Sequence, residues 1–290
     1  MPELQYSDYY LPRMAHLKVE ATYACDRGCP NCNRFTKLAP SDGLDDLDPS
    51  KLDDMLCKSA RIGKIWTRIT LTGGEPTMHH AFEEIVRVMM RYKNRHNPQC
   101  HATTFTYHHP VHYEKIERML RKYPDLEVKD TNKSVPERHV FAVCMAPVDD
   151  SKYGPDHIYR GCHLGCRLCG LGFDNSGFYC CSIAAGIARV FGMQIAIPSI
   201  YGVSMDALID QFRHVCPKCG FYNLCRAKDK GREWISPTWR RAFRDFNRRR
   251  AAARGTSQTR CARTPSPRSP TTSRHACGCA PACVDSRSTP

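Results

Sequence analysis

Cys25-Asp-Arg-Gly-Cys29-Pro-Asn-Cys32 places three thiols in a C-x3-C-x2-C run, with no fourth cysteine near them. A 4Fe–4S cubane is normally closed by four thiolates. Three on one short loop leave an iron without a protein ligand, and an open position on a metal is where a small molecule can bind. The spacing also differs from the paired C-x2-C hooks of structural zinc. Just upstream, His16–Thr22 reads as a strand that runs straight into this loop.

Downstream, Ile69-Thr-Leu-Thr-Gly73-Gly74-Glu75-Pro76 reads as a short β-branched strand ending in a turn. The thiol spacing and this turn, in this order, resemble the radical S-adenosylmethionine (SAM) enzymes. The resemblance implies that Cys25, Cys29 and Cys32 hold a 4Fe–4S cluster with SAM at its open iron. It also implies that Gly73, Gly74 and Glu75, followed by Pro76, hold the methionine end of SAM. Glycines let a backbone approach a ligand closely, and a carboxylate accepts a charge-assisted hydrogen bond from an ammonium group. The implied activity is reductive cleavage of SAM to methionine and a 5′-deoxyadenosyl radical, which removes a hydrogen atom from a substrate. One position departs from the family: the residue before the third cysteine, often aromatic there, is Asn31.

The surrounding sequence alternates strand and helix. Asp48-Pro49 is a helix start, an N-cap followed by proline at the first helical position. Leu52, Met55, Leu56 and Ala60 form the inward face of that helix. Arg68–Thr72 is the second strand, and Phe82, Ile85, Val86 and Met89 recur at helical period within His80–Tyr92. His101–Tyr107 and Leu126–Lys129 read as strands around a helix over Val111–Tyr123, and His139–Met145 as a further strand. This alternation predicts an α/β fold with a parallel sheet. The resemblance implies a partial, open TIM-like barrel, here placed over residues 1–148.

Residues 149–250 form a second, cysteine-rich region, expected to be a small α+β extension. It holds Cys162, Cys166, Cys169, Cys180, Cys181, Cys216, Cys219 and Cys225. Gly170–Cys181 suits a hairpin around the turn residues Asp174-Asn175-Ser176-Gly177. Ser182–Phe191 and Ser204–Val215 read as helices. Ser236-Pro237 opens a last helix with Trp239, Phe243 and Phe246 on one face and arginines on the other. The cysteine pattern resembles the SPASM domain of radical SAM enzymes, or its shorter twitch form. That implies an auxiliary 4Fe–4S cluster, with Cys162, Cys181, Cys216 and Cys219 as ligands and Cys169 and Cys225 as rivals. A zinc ribbon hooked by Cys216 and Cys219 is the alternative. Cys57, Cys100 and Cys144 sit in apolar contexts and read as small core residues.

The chain has 290 residues, 18 cysteines and a net charge of +14. The charge is concentrated: residues 226–290 carry 16 Lys/Arg against 4 Asp/Glu, and residues 1–225 carry 27 against 25. The catalytic part is therefore nearly neutral, and specific nucleic-acid binding is not expected. Residues 251–290, rich in Ala, Arg, Thr, Ser and Pro, are read as a disordered basic tail. No run of apolar residues is long enough to span a membrane, and the first residues do not read as a signal peptide. Clustered thiols outside a secretory context point to metal ligands in a cytoplasmic protein. The expected partners are a small-molecule or peptide substrate and an electron donor such as flavodoxin or ferredoxin. Two other classes stay open: a glycyl-radical enzyme activase, and a non-enzymatic zinc or iron–sulfur scaffold that binds nucleic acid through its basic end. Other candidates are His79-His80, His108-His109, Thr104 and Tyr107 near strand ends, and the Asp149-Asp150 pair.

Overall fold

The computed structural model describes residues 14–41, 43–107, 110–131, 142–152, 162, 169–221 and 232–261, with 255–261 described by backbone alone. The described residues fall into two units, one ending at Asn247 and the other beginning at Arg248, within the last helix.

The first unit is built on β1 (His16–Glu20), α1 (Pro49–Arg61), β2 (Arg68–Thr72), α2 (Phe82–His96), β3 (His101–Thr106), α3 (Pro110–Lys122) and β4 (Glu127–Asp130). These are followed by β5 (Leu171–Asp174), β6 (Gly177–Tyr179), α4 (Ser182–Phe191), α5 (Met205–Val215) and α6 (Pro237–Cys261). Local signals explain the boundaries. Asp48 caps α1 by accepting from the Ser50 N–H at 2.8 Å, with Pro49 at the first helical position. Ser204 caps α5 through the Ala207 N–H at 3.2 Å.

The six strands make one sheet in the order β4-β3-β2-β1-β5-β6. Pairings from β4 through β5 are parallel, and β6 is antiparallel to β5. Parallel neighbours require crossover connections, and α1, α2 and α3 supply them along the first four strands. The sheet is open among the described residues. The β5–β6 hairpin, read from sequence as part of the second region, extends this same sheet by pairing Leu17 with Leu171 and Val19 with Phe173.

Side chains alternate across a strand, and the two faces of this sheet differ in chemistry. Leu17, Val19, Ile69, Leu71, Ala102, Leu171 and Phe173 are buried on one face. The other face carries Lys18, Glu20, Thr70, Thr72, Thr103 and Phe105. Of these, Glu20, Thr70, Thr72 and Thr103 are buried although polar. Buried polar groups need partners, and this face supplies much of the site described below.

Two sequence expectations change. The described part of His139–Met145, residues 142–145, contains no strand. Helix α6 continues through Cys261 and so covers the first residues of the segment expected to lack order. Trp239, Phe243 and Phe246 are buried on one face of α6, as its periodicity predicts. Cys100 and Cys144 are buried core thiols, whereas Cys57 is only half-buried.

Candidate active site

The loops that follow β1 and β2 are laced together by backbone. The Gly74 N–H donates to Thr22 O at 2.7 Å, and the Glu75 N–H to Ala24 O at 2.8 Å. A Cβ on Gly73 would collide with the Thr22 backbone, and one on Gly74 with the Ala24 carbonyl and with Cys25 Cβ. Gly73 also sits at φ +143, a conformation that favours glycine. Both glycines are thus required by the approach of the turn to the cysteine loop, before any ligand is considered.

Glu75 is buried, and its carboxylate ties its own turn to the end of β3. Oε1 accepts from the Thr77 N–H at 3.1 Å, the Thr77 hydroxyl at 2.8 Å and the Thr106 hydroxyl at 3.1 Å. Oε2 accepts from the Tyr107 N–H at 3.1 Å. Pro76 begins the 3₁₀ turn that Glu75 caps.

Cys25, Cys29 and Cys32 are half-buried and line one cavity of about 700 Å³ together with Thr72, Gly73, Gly74, Glu75 and Pro76. The sequence-predicted site residues of the two motifs therefore meet. Their loop contains the non-glycine residues with left-handed backbone among those described, Asn31 at φ 54 and Phe35 at φ 60. Such conformations persist only where the surroundings hold them, and the surroundings here come from distant chain. Asn31 N–H donates to Glu233 Oε1 at 2.8 Å, Asn31 Nδ2 to Arg232 O at 2.9 Å, and the Trp234 N–H to Asn31 Oδ1 at 3.0 Å. The Phe35 ring packs against Trp239 at 4.6 Å between centroids. On the opposite side, Asp26 accepts from the Tyr107 hydroxyl and lies 3.2 Å from His112 Nε2. Against partial burial, these two partners hold the Asp26 carboxyl below the usual range.

Arg34 closes the loop over the polar sheet face. Its Nε lies 2.7 Å from Glu20 Oε2, both side chains being nearly inaccessible. Burial pushes the Glu20 carboxyl up to about 7, against the pull of Arg34 and Lys18. The same guanidinium is electrostatically coupled to Cys32, Cys169 and Cys181.

In the second group, Cys180, Cys181, Cys216 and Cys219 are buried, and Cys162 and Cys169 are half-buried. Cys166 and Cys225 lie outside the described residues. Cys181 precedes α4. The Cys180 thiol beside it, with the first-turn N–H groups of Ala184 and Ile183 and the Arg34 charge, outweighs burial and holds the Cys181 thiol down to about 7. Cys169 Sγ lies 3.9 Å from Lys18 Nζ.

Tetrahedral zinc, at about 2.3 Å from each sulfur, needs ligand sulfurs about 3.8 Å apart. Among the described residues, no three thiols converge within 4.8 Å. Each thiolate of a cubane binds its own iron, so its sulfurs stand farther apart than ligands of a single ion. The first triad, spread around one cavity wall, fits a cluster better than a mononuclear metal.

One other group does converge: Asp46, His79 and His80 place ligand atoms within 4.8 Å of one another. His79 Nδ1 accepts the Ala81 N–H at 2.9 Å, which leaves the ring proton on Nε2. Binding a metal through Nε2 would demand an imidazolate, so this histidine is set for turn geometry. Asp46 in turn accepts from the Thr22 hydroxyl at 2.5 Å, and that hydroxyl accepts the Ala24 N–H at 3.0 Å at the root of the cysteine loop. Of the remaining expectations, Tyr107 lines the cavity and Thr104 does not. Asp149 accepts from Thr238 N–H and hydroxyl at 2.9 and 2.7 Å, a brace at the start of α6. His108 and His109 lie outside the described residues.

No family model matches the chain, and no curated protein matches it in sequence. Solved structures resemble it at low identity, among them two that bind S-adenosylmethionine. One is the crystal structure of BtrN in complex with AdoMet and 2-DOIA, with a TM-score of 0.42 and 11% identity over 71% of this chain and 92% of that one. The other is Streptococcus suis SuiB bound to S-adenosylmethionine, with a TM-score of 0.30 and 10% identity over 78% of this chain and 75% of that one. At these values neither likeness assigns a residue or a reaction to this chain.

Proposed function

We propose that this chain is a radical SAM enzyme. The observation that carries the reading is the lacing of the Gly73-Gly74-Glu75 turn to the root of the cysteine loop, which puts three thiols and the turn on one cavity. Cys25, Cys29 and Cys32 are the residues that would hold a 4Fe–4S cluster, leaving one iron for SAM. A cluster so held would supply the electron for cleaving SAM to methionine and a 5′-deoxyadenosyl radical, which would take hydrogen from substrate. The protein's part is placement. The turn backbone and Glu75 orient the methionine end, and the Arg34–Glu20 pair and the Asn31 bonds hold the thiols in register.

The auxiliary cluster belongs to the same proposal, with Cys162, Cys181, Cys216 and Cys219 as ligands and Cys169 as the rival. The low thiol pKa of Cys181 favours it as a thiolate donor, since the thiolate is the metal ligand. The substrate is a small molecule or a peptide, electrons come from a flavodoxin- or ferredoxin-like donor, and the compartment is cytoplasmic. No described helix is long and apolar enough to cross a membrane.

Anaerobic reconstitution tests both halves. Replacing Cys25, Cys29 and Cys32 by Ala removes all 5′-deoxyadenosine formation and about four irons per chain, leaving about four on the second group. Adding Cys216→Ala and Cys219→Ala removes the remainder. If the first triple variant still cleaves SAM, the enzyme reading is wrong. If it carries stoichiometric zinc and no iron, the auxiliary cluster is wrong.

A further inference from the structure

The polar face of the sheet carries a cation whose purpose the SAM chemistry does not explain. Lys18 stands mid-strand on β1, and its side chain lines the same cavity as the cysteines. Its Nζ lies 5.5 Å from the centre of the Phe105 ring and 3.9 Å from Cys169 Sγ. Among the described residues, no carboxylate oxygen lies within 4.0 Å of it.

Glu20 feels the Lys18 charge and Asp130 on β4 lines the same cavity, but neither is joined to Lys18 by an ion pair within 4.0 Å, and the other nearby carboxylates have partners of their own. Glu20 is held by Arg34 at 2.7 Å. Glu75 takes four hydrogen bonds. Glu127 is bound by His101 at 2.5 Å and by the Thr103 hydroxyl at 3.0 Å. A thiol is a weak acceptor, and an aromatic face holds a cation without neutralising it. An ammonium group is strongly hydrated, and placing it half-buried in a cavity is costly without a counter-charge. Lys129, at the cavity rim on the same sheet face as Phe105, likewise has no carboxylate within 4.0 Å among the described residues.

We propose that the substrate carries an anionic group, a carboxylate or a phosphate, and that Lys18 receives it. This rests on the reading of the cavity as the place where SAM meets substrate. Phe105, beside the ammonium, would then pack against the apolar part of the same molecule.

SAM has a carboxylate of its own, so the test separates the two sources. The reconstituted full-length chain is titrated with malonate, inorganic phosphate and neutral malonamide at constant ionic strength and saturating SAM. SAM affinity is measured separately by equilibrium dialysis. Wild type is compared with Lys18→Met and Lys18→Arg, and with Lys18→Gln should the Met variant fail to fold. Malonate or phosphate binds wild type and malonamide does not. Losing the charged contact weakens the anion at least about tenfold in the Met or Gln variant, while Arg retains it. SAM affinity stays within about threefold of wild type, a difference of under about 1 kcal/mol.

Three results overturn the proposal: neither anion binds wild type, the neutral variant binds the anion as tightly as wild type, or the neutral variant loses SAM instead. The last would assign Lys18 to SAM's own carboxylate. Anion binding that depends on Lys18 in a wild-type chain unable to bind SAM counts against the SAM reading alone.

Discussion

The two cysteine groups use the same side chain under opposite conditions. Cys25, Cys29 and Cys32 are half-buried, sit on a loop with left-handed residues, and face a cavity. Cys180, Cys181, Cys216 and Cys219 are buried among helices and a hairpin, with the Cys180 N–H bonded to Gln211 Oε1 at 2.6 Å. A metal centre on the first group can meet a ligand; one on the second is enclosed. Under the proposed function, reaction would fall to the first group and electron handling or structure to the second. Arg34 is electrostatically coupled to both, to Cys32 in the first group and to Cys181 in the second.

The largest expected effect tests that contrast directly. In iron-free protein at pH 8, iodoacetamide should label Cys25, Cys29 and Cys32 faster than Cys100 and Cys144 by on the order of 10⁴-fold. Two factors combine. The core thiols must be exposed by opening of the fold, and burial pushes Cys100 up to about 11 and Cys144 well above the usual thiol range. Cys100 labelling should accelerate as pH rises toward 11, and peptide mapping of partly labelled protein reads the order. Comparable rates at pH 8 would erase the contrast.

Next in size is the link between the groups. Arg34→Met keeps an aliphatic stem but leaves Glu20 buried without its counter-charge, a loss of about 3–5 kcal/mol for a broken buried pair. The sign with pH follows from Glu20. Its carboxyl stands near 7 in the fold against 4.5 as a free group. Its contribution to stability is therefore full below 4.5 and is lost as pH rises through 7. Without Arg34 the folded value climbs further, so the gap to wild type should be small near pH 4.5 and widest at pH 8 and above. Urea denaturation at both pH values measures it, and a cost independent of pH would show that Arg34 acts by packing alone.

How far these features were legible depends on sequence distance. Asp48-Pro49, the Phe82–Met89 period and the Asp174–Gly177 turn each announce themselves within a few residues, and the corresponding elements form where those signals put them. The two motifs of the site were legible for the same reason. What sequence could not show is pairing across the chain. Nothing near Leu171 indicates that β5 would lie against β1, and the register that pairs them is set by burial of both faces. Tyr107 and His112 read as strand-end and helix residues, yet both meet Asp26 inside the cysteine loop. Thr104 shares a strand with Phe105 but falls on the opposite face, a difference of one residue that decides which of them lines the cavity.

The smallest expected effect concerns the residue that departs from the resembling family. Sequence offers for Asn31 only the absence of an aromatic ring. The structure gives it three hydrogen bonds, through its N–H, Oδ1 and Nδ2, to residues some two hundred positions later. Asn also tolerates the left-handed backbone it adopts there. Asn31→Ala removes the two side-chain bonds to the Trp234 N–H and the Arg232 carbonyl, both only partly buried, a cost of about 0.5–1.5 kcal/mol for each bond. Asn31→Gly removes the same bonds but relieves the backbone, so it should be the milder of the two. Both should lower the rate of SAM cleavage with iron content intact, because the loop between Cys29 and Cys32 loses its tie to 232–234 while its thiols remain. Iron loss in step with activity would show instead that Asn31 serves cluster retention, and unchanged activity in both variants would mean that Phe35 and Trp239 hold the loop without it.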